Sequence, residues 1–61
     1  MKKKHKYQLV TIKKTGEEEY HPIDGKHRSC TEAYDSYGGY SNALDKMIED
    51  NAVEFFVQEV E

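Results

Sequence analysis

Residues 7–13 read Tyr-Gln-Leu-Val-Thr-Ile-Lys, and this run of apolar and β-branched residues decides the fold. Such residues favour a strand, in which successive side chains point to opposite faces. Val10 and Ile12 therefore share one face, and Tyr7 and Leu9 share the other. The stretch predicts a first strand with apolar side chains on both of its faces.

A tight turn follows this strand. Residues 14–17, Lys-Thr-Gly-Glu, contain Gly16, which can take the positive φ that a hairpin requires. The second arm, residues 18–23, is polar and carries Pro22 near its end. Because proline cannot donate a hydrogen bond to a neighbouring strand, this arm is expected at an edge of the sheet.

A helix is expected to begin near Cys30. Ser29 stands three residues before Glu32, which is the spacing of a capping box. Gly38 and Gly39 then interrupt the helical pattern, since a glycine in a helix interior costs about 1 kcal/mol relative to alanine. The sequence leaves open whether one helix kinks at this pair or two helices meet there.

The helical pattern resumes after the two glycines. Ser41 is a second N-cap candidate, and Asn51 is a C-cap candidate. Between them, Leu44, Met47 and Ile48 follow at i, i+3 and i+4. This spacing predicts an apolar stripe on the helix that packs on the sheet.

Residues 52–60, Ala-Val-Glu-Phe-Phe-Val-Gln-Glu-Val, form the most β-prone run of the chain. Val53, Phe55 and Val57 alternate along it, as expected of a strand with one buried face. Only one long connection joins the hairpin to this run, so the last strand is expected beside the first, in the centre of the sheet or at its other edge.

Together these elements predict a small α+β domain of β-β-α-β order. Its three-stranded, mainly antiparallel sheet would carry one helix on one face, continuous or broken at Gly38-Gly39. A flexible basic arm, residues 1–6, is expected before this single domain of residues 7–61.

Charge is divided unevenly along the chain. The first 14 residues hold six lysines and no acid, whereas the other residues hold three basic residues and all twelve acids. Across the hairpin, Lys13 and Lys14 are expected to pair with the glutamates at positions 17–19. The uncompensated positive charge is then confined to the amino-terminal arm and residues 26–28, and the negative charge to the helix and the last strand.

Cysteine usage and hydropathy bear on the compartment. Cys30 is the single cysteine and cannot form an internal disulfide, which is typical of a reducing environment. The basic start of the chain is followed by no apolar segment long enough for a signal peptide or a membrane span. The sequence thus predicts a cytoplasmic protein without a membrane partner.

Four potential metal ligands occur at three-residue intervals, namely His21, Asp24, His27 and Cys30. Zinc accepts these residue types, but the spacing matches none of the familiar zinc patterns. Cys30 with His27 or His21 also has the residue types of a nucleophile and a base. A three-stranded sheet with one helix encloses little volume for a substrate, however. We therefore predict no metal site, no cofactor and no enzymatic activity.

Tyrosines and acids form the strongest binding signal in the sequence. Residues 34–40 read Tyr-Asp-Ser-Tyr-Gly-Gly-Tyr, and tyrosine supplies wide contact area at a low entropy cost. One of the first two tyrosines is expected to complete the core, and at least one of the three to be exposed beside acids. Acids four residues apart on a helix repel each other slightly, and a basic partner would relieve that repulsion. The predicted partner-binding residues are Tyr34, Asp35, Tyr37, Tyr40, Asp45 and Glu49.

In size, charge and lack of a catalytic set, the chain resembles the small acidic proteins that bacteriophages and mobile elements encode to block host machinery, anti-CRISPR proteins among them. The resemblance implies an inhibitor or adaptor that docks an acidic, tyrosine-bearing face on a larger, basic protein that handles nucleic acid. Association with a second copy would supplement so small a core. The alternative is a nucleic-acid-binding module that uses the lysine arm and the basic residues near the hairpin, namely Lys13, Lys14, Lys26 and Arg28.

Overall fold

The computed structural model describes residues 6–60, which follow the order β-β-α-α-β. The elements are β1 (Lys6–Lys13), β2 (Glu18–Ile23), α1 (Cys30–Tyr37), α2 (Gly39–Asp50) and β3 (Ala52–Val60). The predicted α+β class is confirmed, and the helical segment consists of two helices rather than one. The predicted basic arm falls mostly on residues 1–5, which lie outside the described residues, and Lys6 is already the first residue of β1.

The sheet is antiparallel throughout, in the order β2-β1-β3. The prediction that the last strand lies beside the first is confirmed, and β3 forms the edge opposite β2. The hairpin turn is closed by backbone bonds of 2.8 Å from the amide of Lys13 to the carbonyl of Glu17 and from the amide of Gly16 to the carbonyl of Lys13. Gly16 has a φ of 99°, as the tight turn requires.

Both helices pack on the face of β1 that carries Tyr7 and Leu9. Leu9 is fully buried there, and the helices contribute Ala33 and Ala43, which are also fully buried. The distance between packed elements depends on the side chains at their contact, and alanine lets a helix approach the sheet closely. Ile23, at the end of β2, completes this core.

The opposite face of the sheet has no helix over it in the described part of the chain, yet Val10 is 0% exposed. Its directly paired neighbours are Tyr20 on β2 and Phe56 on β3, so an aromatic side chain flanks it on each side. The first strand therefore has buried apolar side chains on both of its faces, as predicted. The helices cover the face that carries Tyr7 and Leu9.

A carboxylate fastens the end of α2 to the sheet. Asp50 Oδ2 accepts a hydrogen bond of 2.6 Å from the hydroxyl of Thr11, a fully buried residue of the central strand. The same oxygen lies 2.6 Å from Nε2 of His21 on β2. Buried polar groups need such partners, because a buried group without a hydrogen bond destabilises the fold by about 1–3 kcal/mol. Asp50 therefore connects α2 to two strands at once.

This anchor sets the rotation of α2 about its axis. Ala43, Met47 and Asp50 lie at i, i+4 and i+7, so they share the face that turns to the sheet. The predicted stripe of Leu44, Met47 and Ile48 is wrong at Ile48, which is 71% exposed. The reason is that a helix with Ala43 and Asp50 directed inward cannot also direct Ile48 inward.

The helix ends follow local capping rules with one exception. Ser29 Oγ accepts from the amide of Glu32 at 3.2 Å, and the Glu32 carboxylate accepts from the amide of Arg28 at 2.8 Å, so α1 begins at Cys30 as predicted. The predicted C-cap Asn51 is confirmed, with a left-handed backbone at φ 60°. Ser41 is not an N-cap, because it lies inside the first turn of α2.

Gly38 replaces Ser41 in that role and also ends α1. Its φ is 116°, and it is both the C-cap of α1 and the N-cap of α2. Asn42 lies against it and donates a hydrogen bond of 2.7 Å to the carbonyl of Tyr37, which is a free acceptor at the end of α1. The junction is thus closed by a glycine and an asparagine side chain.

Gly38→Ala should destabilise the protein more than Gly39→Ala. A Cβ at position 38 would lie 1.9 Å from Nδ2 of Asn42, whereas a Cβ at position 39 would meet open space. We expect a loss of about 2–3 kcal/mol for the first change and about 1 kcal/mol for the second, because both backbones have positive φ but only one is crowded. Urea unfolding followed by circular dichroism measures both values, and equal losses would contradict the described junction.

Asp50→Asn should lower the free energy of unfolding by about 1–2 kcal/mol, because the hydroxyl of Thr11 and the ring of His21 lose a charged acceptor. The matched control is Glu49→Gln, which removes an acid at the next position, where the side chain is exposed. We expect that change to cost less than about 0.5 kcal/mol. A control that destabilises as much as Asp50→Asn would show that the loss of helical charge, not the anchor, is responsible.

The same anchor predicts a pH dependence. The hydrogen bond from Thr11, and then that from His21, holds the pKa of Asp50 below its usual value of 3.8. A depressed folded-state pKa means that Asp50 stabilises the fold above about pH 3.8, and that this contribution is lost as the pH falls through the folded value.

The measurement is the difference in unfolding free energy between the natural chain and Asp50→Asn from about pH 6 down to about pH 2. We expect the difference to shrink below about pH 4, and a difference that stays constant would contradict the assignment.

Candidate functional site

The predicted partner-binding residues separate into two groups in the structure. Tyr37, Asp45 and Glu49 line one groove on the outer side of α2. Tyr34 and Tyr40 lie against Phe55 of β3, and neither lines that groove. Asp35 is exposed on α1 and belongs to neither group. The single acidic and tyrosine-bearing face of the sequence analysis is therefore two adjacent surfaces.

We call the first surface the α2 groove. It is open, has a volume of about 650 Å³, and begins where α1 ends. The hydrogen bond from Asn42 to the carbonyl of Tyr37 joins two of its lining residues, one at the end of α1 and one near the start of α2. Its lining residues are Tyr37, Asn42, Asp45, Lys46, Ile48 and Glu49.

The α2 groove is acidic. Lys46 Nζ donates to Glu49 at 3.0 Å, and this bond raises the pKa of the Lys46 ammonium. Among the described residues, Asp45 has no hydrogen bond or ion pair that would neutralise it. The last turn of α2 contains no basic residue, although the partial negative charge of a helix C-terminus favours one there. Negative potential therefore accumulates along the carboxyl-terminal half of α2.

Tyr37 forms the aromatic side of this groove. It is half-buried and packs against the core, so the prediction that one of the first two tyrosines completes the core is confirmed for it and for Tyr34. Burial raises the pKa of the Tyr37 hydroxyl, which remains a neutral hydrogen-bonding group. The side chain thus combines a fixed ring with a polar tip at the groove surface.

Ile48 is the residue of this surface that the sequence analysis missed. It lines the groove together with Asp45 and Glu49, and most of its surface is open to solvent. Helical spacing alone placed it in the core. The signal that could have found it is the polar residue Asp50 at the helix end, which matches Thr11 and His21 on the strands and requires a different helix rotation.

The second group is an aromatic cluster around Phe55. The rings of Tyr34 and Phe55 are stacked, with centroids 6.1 Å apart and an interplanar angle of 14°. Tyr40 lies 6.2 Å from Phe55 in a tilted arrangement and is 62% exposed. The expectation that at least one tyrosine is exposed is confirmed by Tyr40. This cluster lies against the edge strand β3 rather than over the α2 groove.

The four potential metal ligands have separate structural roles. His21 contacts Asp50, and His27 lies with Nε2 2.9 Å from the carbonyl oxygen of Asp24 and its ring edge-on to Tyr7. The Cys30 thiol donates to the carbonyl of Val57 at 3.5 Å. Within residues 6–60, no three side chains of His, Cys, Asp or Glu are grouped so that they could hold a metal ion.

Comparison with known proteins finds no family model, no curated protein and no solved structure that matches the chain. The geometry of the two surfaces is therefore the basis for a functional proposal. Of the two helices in the described part of the chain, neither has the length and apolar character needed to cross a membrane.

Proposed function

We propose that this chain is a small protein-binding inhibitor or adaptor that docks the α2 groove on a basic surface of a larger protein. The observation that carries the proposal is the exposure of Ile48 in a groove that it shares with the carboxylates of Asp45 and Glu49. An apolar side chain with this exposure contributes nothing to the core of a chain that has few core residues.

The composition of the groove supports a protein partner. Protein interfaces combine an apolar centre with a polar rim, and a few anchors supply most of the affinity. Ile48 has the character of such an anchor, Tyr37 offers a half-buried ring beside it, and the acids form the rim. Small ligands, by contrast, favour enclosed sites, and this groove is open.

The charge of the groove indicates the chemistry of the partner. Asp45 and Glu49 lie one helical turn apart, and their repulsion would be relieved by lysines or arginines across an interface. A row of carboxylates also resembles a phosphate backbone to a protein that handles nucleic acid. We therefore favour a basic, nucleic-acid-handling partner in the cytoplasm, as for the phage and mobile-element inhibitors that the chain resembles.

The remaining predicted contacts extend this proposal. Tyr40 is exposed on the first turn of α2, and Asp35 is exposed on α1, so a large partner could reach them from the groove. Tyr34 is held against Phe55 and the core, which leaves it less surface to offer. We rank Ile48, Tyr37, Asp45 and Glu49 above these three as contacts.

The alternative function, binding of nucleic acid, has weaker support. Lys13, one of its proposed contacts, already lies 3.5 Å from Glu19 and 3.9 Å from Glu17, so part of the hairpin's positive charge is neutralised. Residues 1–5, which hold most of the lysine arm, lie outside the described residues. We treat nucleic acid binding as an outcome that the following experiment distinguishes.

The test compares two charge reversals, Glu49→Lys and Glu17→Lys. Both glutamates are exposed, both contact a lysine, and both changes alter the net charge equally, but only Glu49 lies in the α2 groove. A photo-crosslinking residue at position 48 first identifies the partner in a lysate of the natural host, and the purified partner is then titrated by calorimetry. We expect Glu49→Lys to weaken binding about tenfold or more, and Glu17→Lys by less than about twofold.

Two outcomes would contradict the proposal. Equal effects of the two reversals would show that only net charge matters. Tight binding to single- or double-stranded nucleic acid in a gel-shift titration, weakened steeply by salt and unaffected by Glu49→Lys, would favour the alternative function.

A further inference from the structure

The two edges of the sheet differ in how they are protected. β2 carries Pro22 and the acids Glu18 and Glu19, all of which discourage the addition of another strand. β3 is nine residues long and contains no proline or lysine, and its two acids, Glu54 and Glu59, flank an uncharged centre. It has hydrogen-bonded strand pairing with β1 alone. Within the described residues, no strand covers its outer side. β3 is therefore the edge that is suited to accept a strand.

Apolar side chains accompany this edge. A shallow groove of about 410 Å³ runs beside β3 on the helix side of the sheet, and Phe55 and Val57 form its strand wall. Cys30, Thr31 and Tyr34 form the wall contributed by α1. On the other side of the sheet Phe56 is 39% exposed. An added strand would thus gain backbone hydrogen bonds and bury alternate side chains on both faces.

We propose that a second copy of this chain occupies the edge, with the two β3 strands antiparallel and the two-fold axis passing through Phe56. The pairing would join two three-stranded sheets into one of six strands. The proposal is independent of the α2 groove, because the residues that line that groove do not include any of β3. The dimer interface would exist alongside the docking surface of the proposed function, and the proposal of a dimer does not depend on that function.

Symmetry limits the registers that are available. When the helices of both copies lie on the same side of the sheet, the axis must pass through a single residue, because only then do paired side chains share a face. An axis at Glu54 places two glutamates directly opposite each other, which is destabilising. An axis at Val57 sets Phe55 against Glu59 of the partner subunit, and an axis at Phe55 sets Glu54 against Phe56 of the partner subunit.

An axis at Phe56 avoids the like-charge pair and keeps acids away from Phe55 and Phe56. Its one apolar residue opposite an acid is Val53, which is already 57% exposed and would lie against Glu59 of the partner subunit. This axis pairs Phe55 with Val57 of the partner subunit on the helix side, so that the two apolar grooves meet across the axis. On the other face it pairs Phe56 with Phe56 of the partner subunit, and Glu54 with Gln58 of the partner subunit. A carboxylate opposite an amide can accept a hydrogen bond, so residues 54–58, the centre of the strand, are complementary to themselves in this register. That self-complementarity is the reason for a second copy rather than an unrelated strand.

The test introduces a like-charge pair at the proposed interface. Gln58→Glu would place the new glutamate opposite Glu54 of the partner subunit. This like-charge pair would occur twice in the dimer, once on each side of the axis. The matched control is Gln8→Glu, which makes the same change on the same face of the central strand, directly opposite Gln58 in the monomer. We expect sedimentation equilibrium to show a dimer for the natural chain, a dissociation constant about tenfold higher for Gln58→Glu, and a change below about twofold for Gln8→Glu.

A rescue and a second readout make the result specific. Adding Glu54→Lys to Gln58→Glu should restore the dimer, because each lysine then faces a glutamate of the partner subunit. Hydrogen exchange should show amide protection in β3 that rises with protein concentration, while protection in β2, the other edge, stays constant.

Three outcomes would overturn the proposal. The natural chain could be monomeric up to about 1 mM. Gln58→Glu and Gln8→Glu could weaken association equally, which would place the contact elsewhere. β3 could gain protection only when a different protein is added, which would make that protein the occupant of the edge.

Discussion

The carboxylate of Asp50 is the interaction on which the arrangement of α2 depends. The central strand buries the hydroxyl of Thr11, and β2 directs His21 toward the same point, so both require an acceptor from the helix layer. Asp50 supplies it from the last position of α2. Because a helix is rigid about its axis, this contact and the buried Ala43 together decide which residues of α2 face solvent.

The two proposed surfaces follow from this geometry. With α2 in this rotation, Ile48 and the acids Asp45 and Glu49 face outward and form a groove with Tyr37. Tyr34 and Tyr40 instead gather around Phe55 and lie next to the outer edge of β3. The fold thus separates an acidic surface that suits a basic protein from an apolar edge that suits a second copy of the chain.

Much of the fold could be predicted because it depends on local chemistry. The strands at residues 7–13 and 52–60, the φ of Gly16, the Ser29 cap and the Asn51 cap are properties of a few neighbouring residues, and the structure confirms them. The alternation of the last strand fails at Val53, which is 57% exposed. The rotation of α2 depends instead on a bond between residues 39 positions apart in the chain. Helical spacing cannot reveal such a bond, and for that reason it assigns Ile48 to the core and the tyrosines to one surface.

The most direct test of this account is a side-chain NOE measurement on the natural chain with labelled methyl groups. The account predicts NOEs from the methyl group of Ala43 to side chains of β1, and NOEs from the methyl groups of Ile48 to Tyr37 but to neither Leu9 nor Val57. NOEs from Ile48 to Leu9 or Val57 would contradict it, because they would mean that α2 is rotated as its apolar spacing predicts and that Asp50 does not anchor it.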